Sequence, residues 1–214
     1  MPTEPTSRLA HRIVVAVVGA LVVALSGMTA PAANADPWPT DWGEDYGVFN
    51  PDRGAHTYCF HDAEPPVAAL RNRMIAAMDY LTASTDATTF EMVPCDISSS
   101  GGQTDVVWRG ATVIVNGTEA IGLTECRRRF DNGLCDRYRV TVNGSLIRSH
   151  YGADDNRNRQ YRKTACHELG HTLGLNHFNA PHESCQRVGW TGTIADAWTR
   201  TWTAHHRGHI DDWF

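Results

Sequence analysis

The chain has 214 residues, with 19 Lys+Arg against 24 Asp+Glu, 11 His and six Cys, for a formal net charge of −5. A chain of this length holds one domain, or one domain with an extension, and the acidic balance argues against a nucleic-acid partner. Hydrophobic residues make up 42% of the chain, but they are unevenly spread, because residues 13–25 are almost wholly Val, Ala, Leu and Gly.

Arg8 and Arg12 precede that run, and a stretch of small residues ending in Ala33-Asn34-Ala35 follows it. A basic flank, an apolar core and a small-x-small cleavage pattern read together as a secretory signal peptide over residues 1–35. The apolar core of about 13 residues is short of the ~20 that span a bilayer, so no permanent membrane anchor is expected. Arg8 and Arg12 are not adjacent, which leaves a twin-arginine signal unsupported. Cleavage after Ala35 removes Glu4, Arg8 and Arg12 and leaves a secreted protein one charge more acidic.

Export gives the cysteines a meaning. Cys59, Cys95, Cys126, Cys135, Cys166 and Cys185 are even in number and include no C-x-x-C pair, so three disulfides are expected in an oxidising compartment. About 15 connectivities are open on sequence alone. The nearest-neighbour set, 59 with 95, 126 with 135 and 166 with 185, is favoured because each pair brackets a plausible structural unit.

Residues 36–54 are rich in Pro, Asp, Gly and Trp without an apolar period and read as an extended arm, with one domain over residues 55–214. A short strand suits 55–60. Asp62 is placed to cap a helix that opens through Pro65 and Pro66, and Val67, Leu70, Met74, Met78 and Leu81 form its one apolar face. The methionines there are core filling. From residue 90 to 147 short β-like runs follow, at 90–93, 105–108, 112–115, 121–126 and 137–142, with turns at Asn116-Gly117, Asn132-Gly133 and Asn143-Gly144. In the last run Tyr138, Val140 and Val142 alternate with Arg137, Arg139 and Thr141, which predicts one buried and one wet face. Two of the turns also fit the N-glycosylation pattern and are read as turns. Arg127, Arg128 and Arg129 are expected at a solvated hairpin tip. Residues 150–160 are polar and read as a loop that could supply a helix cap, and Asp154, Asp155 and Asn156 match no EF-hand spacing, so calcium is unsupported.

The chemistry is concentrated in the next stretch. A helix is predicted over 161–173, and on it His167 and His171 stand four apart, one turn along the same face. Gly174 lies where a helix ends in a left-handed residue, and His177 follows three residues later. A catalytic zinc takes three protein ligands and keeps one open position. His167, His171 and His177 supply three imidazoles for one ion. Glu168, beside a ligand but outside the ligand row, suits a general base for a zinc-activated water, which would then attack a polarised amide carbonyl.

The run from His167 to His177 reads H-E-L-G-H-T-L-G-L-N-H and resembles the H-E-x-x-H-x-x-G-x-x-H signature of metzincin metallopeptidases, most closely the matrixin-like and related secreted actinobacterial enzymes. The resemblance implies an α+β fold: a small twisted mixed sheet packed on an N-terminal helix and a zinc-bearing helix, a final helix near 203–213, and a substrate cleft along the edge strand. It also implies a monomeric zinc endopeptidase with one catalytic zinc, acting on protein or peptide substrates.

Two departures accompany the resemblance. Metzincins pass beneath the metal through a turn holding a methionine, yet the last methionine here is Met92, and Ser184-Cys185-Gln186 stands where that turn belongs. A Cys166–Cys185 disulfide would be a substitute support, worth about 3 kcal/mol for a loop of this length. Phe178 follows His177 in place of the residue of the best-known subfamilies, and no tyrosine follows the turn closely. A second reading therefore stands beside the first, a catalytically weak or inactive secreted zinc-binding protein of the same fold. His205 and His209 are also four apart, but they read as part of a capped terminal helix. His56, His61, His150 and His182 carry no motif.

Overall fold

The structure, a computed structural model, describes residues 49–98, 102–177 and 183–214. The leader over 1–35, residues 36–48 of the arm, Phe178 and His182 lie outside the described residues. Strand β1 (Tyr58–Phe60) lies parallel to β2 (Val106–Gly110), which lies parallel to β6 (Cys135–Val142), and β6 pairs antiparallel with β5 (Gly122–Arg129). The sheet order is β1-β2-β6-β5, so β5 forms one edge. Between β2 and β5 a separate hairpin joins β3 (Val113–Val115) to β4 (Thr118–Ala120). Its turn is Asn116-Gly117, with φ of 51° and 78°, the left-handed pair that a two-residue hairpin requires. Over the described residues the chain is thus α+β, with a small mixed sheet and four α-helices.

A parallel β1–β2 pair needs a crossover, and helix α1 (Ala68–Ser84) supplies it. Leu70, Met74, Ala77, Met78 and Leu81 are its buried residues, and both methionines are fully buried core. Asp62 does not cap this helix: the cap position is Val67, with no side-chain hydrogen bond. Pro65 and Pro66 hold the residues before them extended, and the Glu64 carbonyl is already committed to the Gly110 amide at 3.0 Å.

The expected strand over 90–93 is reduced to one bridge, Glu91 with Tyr58, flanked by hydrogen bonds from Tyr58 N to Phe90 O (3.1 Å) and from Met92 N to Tyr58 O (2.7 Å). Pro94 has no amide hydrogen to extend the ladder. Along β6 the alternation holds for Tyr138, Val140 and Val142, whereas Thr141 is buried as well, between Arg109 of β2 and Leu123 of β5. Asn143-Gly144 is not a hairpin turn. Asn143 instead caps helix α2 (Gly144–His150), its Oδ1 accepting from Leu146 N at 3.0 Å.

The three disulfides are Cys59–Cys95, Cys126–Cys135 and Cys166–Cys185. The second closes the β5–β6 hairpin, whose arginines are not all solvated: Arg128 pairs with Asp136 and donates to Ser98 O at 2.7 Å, and Arg129 covers the Phe49 ring. The described end of the arm docks on the sheet, where Asn50 O accepts from Cys135 N at 2.8 Å and Phe49 O accepts from the Tyr138 hydroxyl. The last helix, α4 (Ala204–Trp213), is capped by Thr203, whose hydroxyl accepts from His206 N. No helix among the described residues is long and apolar enough to cross a membrane.

Candidate metal centre and its cavity

Helix α3 runs Asp154–Thr172, so the second half of the predicted 150–160 loop is helical. Asp154 and Asp155 sit in its first turn, where carboxylates favour the positive end of the helix dipole, and Asp154 pairs with Arg157. They are a helix start and not a calcium loop. From Gln160 to Thr172 every residue but Arg162 is buried.

The C-terminal end of α3 builds the centre. Gly174 has φ of 81°. Its amide donates to His171 O at 3.3 Å, and Leu175 N donates to Gly170 O at 3.0 Å, which together form a Schellman turn. That turn does two things. It carries His177 back toward the helix, and it aims the Leu175 carbonyl at His171 Nδ1, 2.8 Å away. His167 Nδ1 meets the Cys185 carbonyl in the same way at 2.9 Å. A carbonyl only accepts, so both Nδ1 atoms carry the proton and both Nε2 atoms keep a lone pair for a metal. The two Nε2 atoms are 3.2 Å apart. Ligand atoms of His167, His171 and His177 all lie within 4.8 Å of one another. Burial is the main cause holding the three imidazoles below the ordinary histidine range, His171 at about 3. They are therefore neutral at physiological pH, the form that binds metal.

Glu168 is 4% exposed, and its Oε2 accepts from the Thr124 hydroxyl of β5 at 2.8 Å. Burial raises its carboxyl to about 7, opposed by the Thr124 hydrogen bond and by the charge on Lys163. A Cβ at Gly122 would come within 2.2 Å of Glu168 Oε1, so the carboxylate occupies space that only glycine leaves open.

Ser184-Cys185-Gln186 packs against the same helix. Cys185 is bonded to Cys166, and the buried Gln186 amide donates to His167 O at 3.0 Å. Gly170 is what admits that amide, because a Cβ there would lie 1.7 Å from Gln186 Nε2. Ser184 Oγ is 3.0 Å from His206 Nδ1, which ties the turn to α4.

The three histidines and Glu168 line a cavity of about 430 Å3 that also takes in Gly122 and Thr124 of β5, Lys163, Val188 and Trp190. Trp190 stacks on His150 at 4.0 Å between ring centroids. Lys163 is buried, and its Nζ donates to the carbonyls of Arg187 (2.8 Å) and Gly189 (3.0 Å). Burial lowers its ammonium to about 8, with Glu168 opposing.

His167, Glu168, His171, Gly174 and His177 are thus brought together, with Cys166 and Cys185 directly behind them. His205 and His209 lie on α4 with Nε2 atoms 3.1 Å apart. Gly122, Thr124, Lys163 and Gly170 were not read from sequence as site residues. Gly170 alone carried a signal, since glycine inside a helix costs about 1 kcal/mol relative to alanine and calls for a packing reason.

No family model matches the chain, and no curated protein matches it. Among solved structures it is similar to one described as the structure of myroilysin, at 12% identity and a TM-score of 0.33, over 61% of this chain and 52% of that one. The matched region therefore spans about half the length of that protein.

Proposed function

We propose that the chain is a secreted zinc endopeptidase on a metzincin-like plan. The observation that carries this reading is the pairing of two imidazoles, each turned by a backbone carbonyl so that Nε2 is free, with a third imidazole and a buried carboxylate in one cavity. The donor set fits zinc, a borderline ion that favours neutral imidazole, and His167, His171 and His177 would hold it. When bound, zinc supplies Lewis acidity toward a carbonyl and toward water. Glu168 takes a proton at a carboxylate oxygen and returns it to the leaving amine, and Thr124 keeps that carboxylate in place. A peptide has a natural berth along β5, because that strand ends the sheet and its Gly122 and Thr124 line the cavity. The matrixin-like flavour rests on the residues from His167 to His177, and the extracellular setting on the leader pattern together with three disulfides.

The test is metal analysis of the purified protein beside chelator-sensitive cleavage of denatured protein substrates, comparing wild type with Glu168→Ala. One zinc per chain in both and a loss of cleavage on the order of 10²–10⁴-fold in the variant is the expected result. Equal cleavage by both sinks the mechanism. One zinc with no cleavage by wild type favours the second reading, a zinc-binding protein without peptidase activity, which the polar Gln186 at the methionine position motivates.

A further inference from the structure

Lys163 is the single lysine of the chain, which otherwise uses 18 arginines for its basic residues. It precedes His167 by one helical turn on the same row as both α3 imidazoles. It is 1% exposed, yet it lines the cavity. Two backbone carbonyls accept from its ammonium, which has three N–H groups, and among the described residues no carboxylate forms an ion pair with it. The carboxylate whose charge it feels, Glu168, is engaged by Thr124. The rest of the lining is largely apolar, including Val115, Ile121, Leu123, Leu146, Val188 and Trp190, and its other carboxylate, Glu119, is exposed to solvent.

Holding two carbonyls needs only a neutral donor, such as an amide. A buried full charge is costly, and a compact ammonium leaves a donor over where a planar guanidinium would fill the space. In an apolar cavity a lone cation discriminates strongly, because an anion satisfies it and a neutral isostere does not.

We propose that Lys163 makes this cavity a site for a carboxylate-bearing side chain, so that the preferred substrates are peptides with Asp or Glu beside the scissile bond. The proposal rests on the peptidase reading above. Lys163 acts as a specificity-determining residue, and the two carbonyls fix its ammonium while the wall over residues 187–190 stays joined to α3.

Two peptide pools, identical except that the central position is Glu in one and Gln in the other, test it. Zinc-loaded wild type is expected to cleave the Glu pool at least about tenfold faster, the size of a buried charge-assisted hydrogen bond. Zinc-loaded Glu168→Ala protein, titrated with each pool by tryptophan fluorescence, is expected to show a similar ratio of affinities. Lys163→Met, which keeps the stem length and removes the charge, brings the cleavage ratio to about one at unchanged zinc content. If that variant does not fold by circular dichroism, the Glu/Gln ratios of the other two proteins decide alone. Ratios near one in both arms overturn the proposal, as does a ratio that Lys163→Met leaves unchanged. If wild type cleaves neither pool, the peptidase reading falls while the affinity ratio still decides the cavity.

Discussion

Two helices of this protein each carry a pair of histidines one turn apart, and the two pairs have similar spacings. The Nε2 atoms are 3.2 Å apart in His167/His171 and 3.1 Å apart in His205/His209, with ring centroids 4.7 and 4.3 Å apart. The surroundings differ. On α3 both rings are buried, each Nδ1 faces a backbone carbonyl, and a third imidazole arrives through the Gly174 turn. On α4 both rings are half-buried, and among the described residues no third His, Cys, Asp or Glu completes a group around them. Spacing is a property of any helix. A metal centre requires, in addition, a fixed tautomer and a third donor.

Removing one ring from each pair separates the two helices. His171→Ala is expected to abolish stoichiometric zinc binding and, with it, the thermal stabilisation that added zinc gives, about 2.7 kcal/mol at a hundredfold excess over Kd. His205→Ala is expected to leave both unchanged. Equal loss in the two variants, measured by metal analysis and thermal melts, would put the centre on neither helix alone.

The support behind the α3 pair comes next. Replacing Cys166 and Cys185 together by Ser is expected to cost about 3 kcal/mol in a denaturant melt, since the closed loop spans 19 residues. It is also expected to weaken zinc binding by about 10–100-fold, because the Cys185 carbonyl orients His167. Zinc affinity unchanged in the double variant would show that the carbonyl holds its position without the bond.

Gly122→Ala probes the carboxylate while sparing the ligands. Its Cβ would press on Glu168 Oε1, so cleavage is expected to fall by roughly 10–100-fold at full zinc content. Gly174→Ala carries the smallest effect. A Cβ at φ of 81° costs about 1 kcal/mol, and zinc affinity is expected to drop by about as much, read by competition with a chelating dye.

The three-histidine group was legible in sequence because everything that places it is local: one helical turn between His167 and His171, and a left-handed glycine before His177. The Cys166–Cys185 bond behind it was legible too, as one of the three nearest-neighbour pairs. What lay hidden acts across the fold. Thr124 and Glu168 are 44 residues apart, and Gly122 matters only because β5 presses against α3. The first turns of α3 were hidden because Asp154, Asp155 and Asn156 show no apolar period, and only the helix cap that the segment could supply was legible. Lys163 shares a helical row with the ligands, but a charge in sequence reads as solvated until burial is known.

Cys185 joins two kinds of chemistry in one residue. Its sulfur is held to Cys166, and its carbonyl oxygen accepts a hydrogen bond from His167 Nδ1. The residue before a ligand and the residue behind that ligand are therefore fastened to each other by a bond that forms only under oxidising conditions. The bond thus ties the carbonyl that faces the ring to the helix that carries the ring. A chain kept reduced would lack that tie, and the orientation of the His167 ring would rest on the backbone placement of residue 185 alone.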